Sequence, residues 1–165
     1  MRRRSAIVIL LSLVSVAVRS GSPQLSDAGK LVGTWRLVEY VDVIAGNTLH
    51  QFGEKPIGIF IYSPSGYVSV HVLHNPPPTK LDDLTLPNWE QDQLDTASYT
   101  GYFGTFRVDT RRSVVTHYVE GGTVLGYIGT AQERPYRFEG NRLIIGDGKT
   151  FRRVLERIPD KPRSD

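Results

Sequence analysis

About ten short β-prone segments, each ended by residues that turn the chain, constrain the fold of this sequence more than any other feature. They run over residues 31–43, 48–52, 58–62, 67–74, 102–108, 114–120, 124–131, 135–138, 143–146 and 150–158. The turns between them have a mechanism. Ser63-Pro64-Ser65-Gly66 puts proline early and glycine late, as a reverse turn prefers. Glu139-Gly140-Asn141 and Asp147-Gly148 are hairpin signals, and Asp109 to Arg112 makes a slightly longer polar connection. Strands joined this tightly form an antiparallel meander, and a meander of this length removes its exposed edges by closing on itself. The expectation is therefore an all-β, antiparallel up-and-down barrel of about 8–10 strands. Alternation over 67–73 agrees: Tyr67, Ser69, His71 and Leu73 share one face, and Val68, Val70 and Val72 the other.

One stretch departs from the pattern. Residues 75–98 open with Asn75-Pro76-Pro77-Pro78 and continue to Trp89-Glu90-Gln91-Asp92-Gln93-Leu94-Asp95, which reads as a short helix. A Pro-rich insert of this length in a compact barrel is either a lid or a surface excursion that packs Trp89 and Leu94 on the wall.

The N-terminus has a different character. Arg2, Arg3 and Arg4 precede an apolar run from Ala6 to Val18, and small residues follow at Ser20, Gly21 and Ser22. This is the layout of a secretory signal peptide over residues 1–20. The apolar run falls short of the roughly 20 residues that a membrane-spanning helix needs. The sequence thus divides into a signal peptide (1–20), a polar linker (21–30), a barrel domain (31–158) and a tail (159–165), with a periplasmic or extracellular destination and no stable membrane insertion after cleavage. Removing the signal takes away four arginines and no acid, which leaves 16 basic against 17 acidic side chains. A near-neutral domain has no electrostatic footprint for nucleic acid.

The chain contains no cysteine. Disulfides, thiolate metal sites and a cysteine nucleophile are excluded, and the fold must rest on its core. No G-x-S-x-G, P-loop or G-x-G-x-x-G motif is present. Of the four histidines, His71 and His74 have an H-x-x-H spacing that on a strand points to opposite faces, a poor metal pair. Neither a metal nor a cofactor is expected. His117 lies between Val115 and Val119 on an apolar face, as either a hydrogen-bonded core histidine or a pocket group.

Gly33-Thr34-Trp35, at the start of the first long segment, resembles the G-x-W motif of lipocalins and related calycin barrels. The stretch 31–38, the region 58–70 around Tyr62-Ser63-Pro64-Ser65-Gly66-Tyr67, the stretches 102–109 and 115–121, and Leu155-Glu156-Arg157-Ile158 are similar to the lipocalin-like domain family. The resemblance covers most of 31–158. It implies a lipocalin-like barrel that encloses a small apolar ligand; more distant relatives of this structural group include isomerases and cyclases. It also implies that Trp35, beside Gly33, closes the base of the barrel under Arg157 or Arg153 from the last strand, a structural role.

Pocket candidates are His71, Tyr102, His117, Tyr62, Tyr67 and Tyr127, polar groups on strands that would otherwise present apolar walls. Three functions follow: a carrier of a small hydrophobic molecule, a cofactor-independent isomerase or cyclase using the same cavity, and a structural envelope protein with a filled barrel. Acid/base chemistry would need a carboxylate such as Glu120 or Glu39 beside a histidine. A histidine facing a tyrosine or carboxylate in a cavity favours the enzyme, and scattered hydroxyls favour the carrier.

Overall fold

A computed structural model describes residues 27–77 and 98–160. The signal peptide, most of the linker, residues 78–97 with Trp89 and Leu94, and the end of the tail lie outside the described residues. A helical turn, α1 (Asp27–Leu31), precedes β1 (Gly33–Ile44), β2 (Asn47–Leu49), β3 (Ile57–Tyr62), β4 (Tyr67–Leu73), β5 (Tyr99–Asp109), β6 (Val114–Gly122), a 3-10 turn (Leu125–Tyr127), β7 (Ala131–Glu139), β8 (Arg142–Ile145) and β9 (Phe151–Ile158).

Neighbouring strands pair antiparallel in the order β1-β3-β4-β5-β6-β7-β8-β9, and β9 returns to β1. The result is a closed eight-stranded up-and-down barrel, with β2 as a short appendage on β1. The expected fold class is the observed one. Several boundaries differ from the sequence reading: Leu31 belongs to α1, and the strand expected over 48–52 spans only Asn47–Leu49. Residues 124–131, expected as a strand, form the 3-10 turn and a following bend, and the 135–138 segment is the second half of a longer β7. Leu125-Gly126 and Ile128-Gly129 explain this, since two glycines in an apolar stretch favour a folded turn over a ladder. β5 also begins earlier than expected, at Tyr99.

The inward faces are set by period-two alternation, with one interruption. Trp35 and Leu37 point inward, and a bulge between Leu37 and Glu39 shifts the register, so that Tyr40 and Asp42 face in while Glu39 faces out. On β4 the three valines are buried and the Tyr67 face looks outward. The core fills the lower half of the barrel with Trp35, Leu37, Tyr62, Val68, Val115, Leu143 and Leu155, all nearly inaccessible.

α1 closes this end. Leu31 is buried, and its carbonyl accepts a 2.8 Å hydrogen bond from Trp35 Nε1. Arg157 lies over the Trp35 ring, 4.1 Å from Cζ to the centroid, and its guanidinium donates to the carbonyls of Val32 and Lys30. A cation stacked this way on indole contributes roughly 0.5–2 kcal/mol. Gly33 makes room for it: its φ is +137°, and a Cβ there would strike Arg157 Nη1. The base pair is thus Trp35 with Arg157; Arg153, the other candidate, sits higher on β9 and faces the cavity.

The outer surface has two characters. Around β1, β7, β8 and β9 it is laced with ion pairs: Arg152–Glu39, Arg142–Glu156, Arg137–Glu139 and, near the β5–β6 turn, Arg112–Glu133. Across β3, β4 and β5 it presents Ile57, Ile61, Tyr67, Leu73 and Phe103 without a charged neighbour in register.

Candidate functional site

Above the packed base, the barrel holds a cavity of about 330 Å³. Its apolar wall comes from inward positions that alternation predicts: Phe60 on β3, Val70 and Val72 on β4, Ile145 on β8 and Phe151 on β9. Tyr102, His117 and Arg134 supply polar groups on one side, from β5, β6 and β7. Tyr40, Asp42 and Arg153 supply them on the other, from β1 and β9.

His117 is only 1% exposed, although it is the one buried polar or charged residue among those described. Both its ring nitrogens are engaged. Tyr62 Oη lies 3.0 Å from Nε2, and Tyr102 Oη lies 2.8 Å from Nδ1. Tyr62 is fully buried beneath the cavity, with its ring edge-on to Phe106. Tyr102 reaches the cavity itself and packs edge-on against Tyr127. The three side chains therefore form a chain from core to cavity.

Burial fixes the protonation of this chain. Removal from water, with the positive charge of Arg134 second, lowers the His117 pKa to about 3, so the imidazole is neutral at ordinary pH. Burial likewise raises Tyr102 to about 12, against the opposing pull of Arg134, and pushes Tyr62 well above the usual phenol range. The phenols remain protonated.

The two cavity arginines differ. Arg153 is held by Asp42, Nη2 to Oδ1 at 2.6 Å, and donates to the carbonyls of Val41 and Arg152. Its guanidinium also stacks on Tyr40, 3.2 Å from the centroid. Arg134 forms no ion pair among the described residues. It donates to Gln132 Oε1 at 3.2 Å and to its neighbour's carbonyl, Glu133 O, at 3.3 Å, and it lies against the rings of Tyr127 and Phe151.

Of the six pocket candidates, Tyr102, His117 and Tyr127 line the cavity, and Tyr62 braces His117 from below. Tyr127 does so from the 3-10 turn and not from a strand. Tyr67 and His71 do not belong to the pocket. They share the outward face of β4, where Tyr67 is 53% exposed and His71 lies between Ser69 and Tyr99. The reason is the sheet's period of two: once the valine face turns in, its alternates must turn out. The two carboxylates considered for acid/base work also face away. Glu39 pairs with Arg152, 2.5 Å apart, and Glu120 is exposed on β6.

Sequence reasoning missed Arg134, Tyr40 and the Asp42–Arg153 pair. Arg134 falls between the expected segments 124–131 and 135–138, beside Glu133, where a charged run reads as a solvated connection; the observed β7 runs through it. Its interior partner positions, Gln132, Tyr136 and Phe138, were the available signal. Among the described residues, no group of three His, Asp or Glu side chains is disposed to hold a metal.

A family model described as lipocalin-like domain matches residues 32–157. No curated protein matches the chain.

Proposed function

Because the chain belongs to the lipocalin-like domain family, we propose that it is a carrier that holds a small, largely apolar molecule in the barrel interior. The observation that supports this most is the cavity of about 330 Å³, in which the apolar side chains of Phe60, Val70, Val72, Ile145 and Phe151 face the polar groups of Tyr40, Asp42, Tyr102, Arg134 and Arg153. Specific small-molecule sites begin at about this size and pair apolar walls with polar groups that orient the ligand. A barrel with a filled core would leave no such space.

His117 touching Tyr102 is the feature that favours the isomerase or cyclase reading. Its chemistry weakens that reading. A general base works best with a pKa near the working pH, and an imidazole held near 3 is neutral but weakly basic. Both its nitrogens are already hydrogen-bonded, and no carboxylate stands behind it. The carrier reading therefore leads.

A neutral apolar fluorophore such as N-phenyl-1-naphthylamine tests it. We expect saturable binding by the purified protein, lost in Val124→Trp, which adds bulk beside the cavity without entering the buried core. Native mass spectrometry should also find a bound small molecule after purification. Absence of saturable binding together with an empty protein would overturn the proposal. The same reading includes export: the mature chain should begin near Gly21, and an intact Met1 on the purified native protein would argue against it.

A further inference from the structure

The hydrogen-bond chain through His117 has a direction. A neutral imidazole carries one N–H and one bare nitrogen, so one of its two tyrosines must donate and the other must accept. Tyr62 is fully buried, and His117 Nε2 is the partner recorded for its hydroxyl. If Nε2 carried the proton, the Tyr62 O–H would be left in the core without an acceptor, a penalty of the kind proteins avoid. Tyr62 therefore donates to Nε2, Nδ1–H donates to the oxygen of Tyr102, and the Tyr102 O–H is turned outward into the cavity.

That hydroxyl meets a second donor. Arg134 bears on Tyr102 closely enough to lower its pKa against burial. Besides Tyr102, Gln132 Oε1 and Glu133 O accept from Arg134, which leaves guanidinium N–H groups without a protein acceptor. Among the residues lining the cavity, the charges are those of Asp42, Arg153 and Arg134, and the first two neutralise each other. The cavity thus carries one uncompensated positive charge, beside a hydroxyl that can only donate. A cation in a partly desolvated, aromatic-walled site is costly without an anion.

Resting on the carrier reading, we infer that the bound molecule is an apolar acid with a single carboxylate, which accepts from Arg134 and Tyr102 while its body lies against Phe60, Val70 and Val72. A planar carboxylate suits a guanidinium fork. A doubly charged phosphate ester would exceed the site's charge and would meet Asp42 across the cavity.

The test compares a dansyl-labelled undecanoic acid with its methyl ester, using N-phenyl-1-naphthylamine as the neutral control. We expect the wild type to bind the acid roughly 10- to 100-fold more tightly than the ester, as charge-assisted hydrogen bonds require. Arg134→Gln should bring acid and ester together, and Tyr102→Phe should lose part of the preference. Far-UV circular dichroism and urea melts of both variants certify their folds, and the acid-to-ester affinity ratio within each variant is the readout. Arg134→Lys should keep most of the preference. If the wild type binds acid and ester alike while the neutral control binds, the carboxylate site is refuted and the carrier reading stands. If none of the three probes binds, the carrier reading itself falls.

Discussion

Two histidines of this barrel bridge two hydroxyls each, one on either side of the same wall. His117 spans Tyr62 and Tyr102 inside; His71 spans Ser69 and Tyr99 outside, at 2.7 and 2.6 Å. By partner count they are equivalent. Their surroundings are not. Inside, no water replaces a partner lost by Tyr62 or His117, whose donors must find their acceptors within the chain; only the Tyr102 hydroxyl opens to the cavity. Outside, Ser69, His71 and Tyr99 are only half-buried, so solvent stands ready to take up any group set free. The comparison teaches that the same geometry is rigid and directional in one place and replaceable in the other, and that burial decides which.

The top of the scale is set below both histidines, at the base. Trp35→Ala removes the largest buried side chain and the stacking surface of Arg157. It should cost about 3–5 kcal/mol in a chemical melt. A nearly unmoved midpoint would mean that the base is not the packed end of the barrel, and the contrast between inner and outer histidines would lose its reference.

The inner histidine should next declare itself through pH. Its pKa falls from 6.5 to about 3 on folding, so the unfolded chain binds a proton that the folded one refuses. The stabilising contribution of neutral His117 is complete above pH 6.5 and is lost as pH falls toward 3, at about 1.4 kcal/mol per pH unit. Between pH 6 and 4.5 this adds to about 2 kcal/mol. Asp147 scarcely enters the window: three backbone N–H groups lower its carboxyl from 3.8 to about 2, so its own stabilising contribution is lost mainly below pH 3.8. His117→Phe should flatten the slope of stability against pH in this range. An unchanged slope would show that the imidazole is not excluded from water as described.

These two predictions draw on features of unequal legibility. The meander and the closure could be read in the sequence, because turn chemistry and alternation are local; the base at Trp35 was legible through the resemblance of Gly33-Thr34-Trp35 to the G-x-W motif, which left Arg157 and Arg153 both open. His117 could be placed inside by alternation, between Val115 and Val119. Which face of β4 turns in was also recoverable, since three valines outweigh Tyr67, Ser69, His71 and Leu73 in apolar character. The bulge between Leu37 and Glu39 was not. Strict alternation from Trp35 would bring Glu39 inward and send Asp42 out, and nothing in Leu37-Val38-Glu39 announces the extra residue. Arg134 escaped for a different reason. It falls between the expected segments 124–131 and 135–138, and only the longer β7 that runs through it turns it toward the cavity.

The direction of the inner chain gives a smaller effect. Tyr62→Phe keeps the packing against Phe106 but takes the donor from His117 Nε2. A buried nitrogen without its partner should cost about 1–2 kcal/mol. The proton of His117 is then free to move between its nitrogens, so the hydroxyl of Tyr102 loses its fixed orientation. Nitrogen chemical shifts of the His117 ring would report this, with the wild type showing the Nδ1-protonated form and the variant a mixture. An Nε2-protonated form in the wild type would reverse the direction argued for the chain.

The smallest effect should come from the outer histidine. His71 reaches Tyr99 only because Gly101, its pairing partner on β5, has no side chain; a Cβ there would collide with the Tyr99 hydroxyl. The arrangement is therefore as specific in shape as the inner one, and shape alone would predict an equal penalty for breaking it. Solvent argues otherwise. In His71→Phe the hydroxyls of Ser69 and Tyr99 turn to water, and the new ring lies beside Ile59, its register neighbour on β3, on a surface that already shows Leu73 and Phe103. A phenyl ring suits a strand surface, so the expected change is within about 0.5 kcal/mol. Ser69→Ala should behave alike. Urea melts of both variants beside Tyr62→Phe make the comparison direct. Should His71→Phe cost as much as Tyr62→Phe, the outer relay is held as tightly as the inner one, and burial is not what separates them.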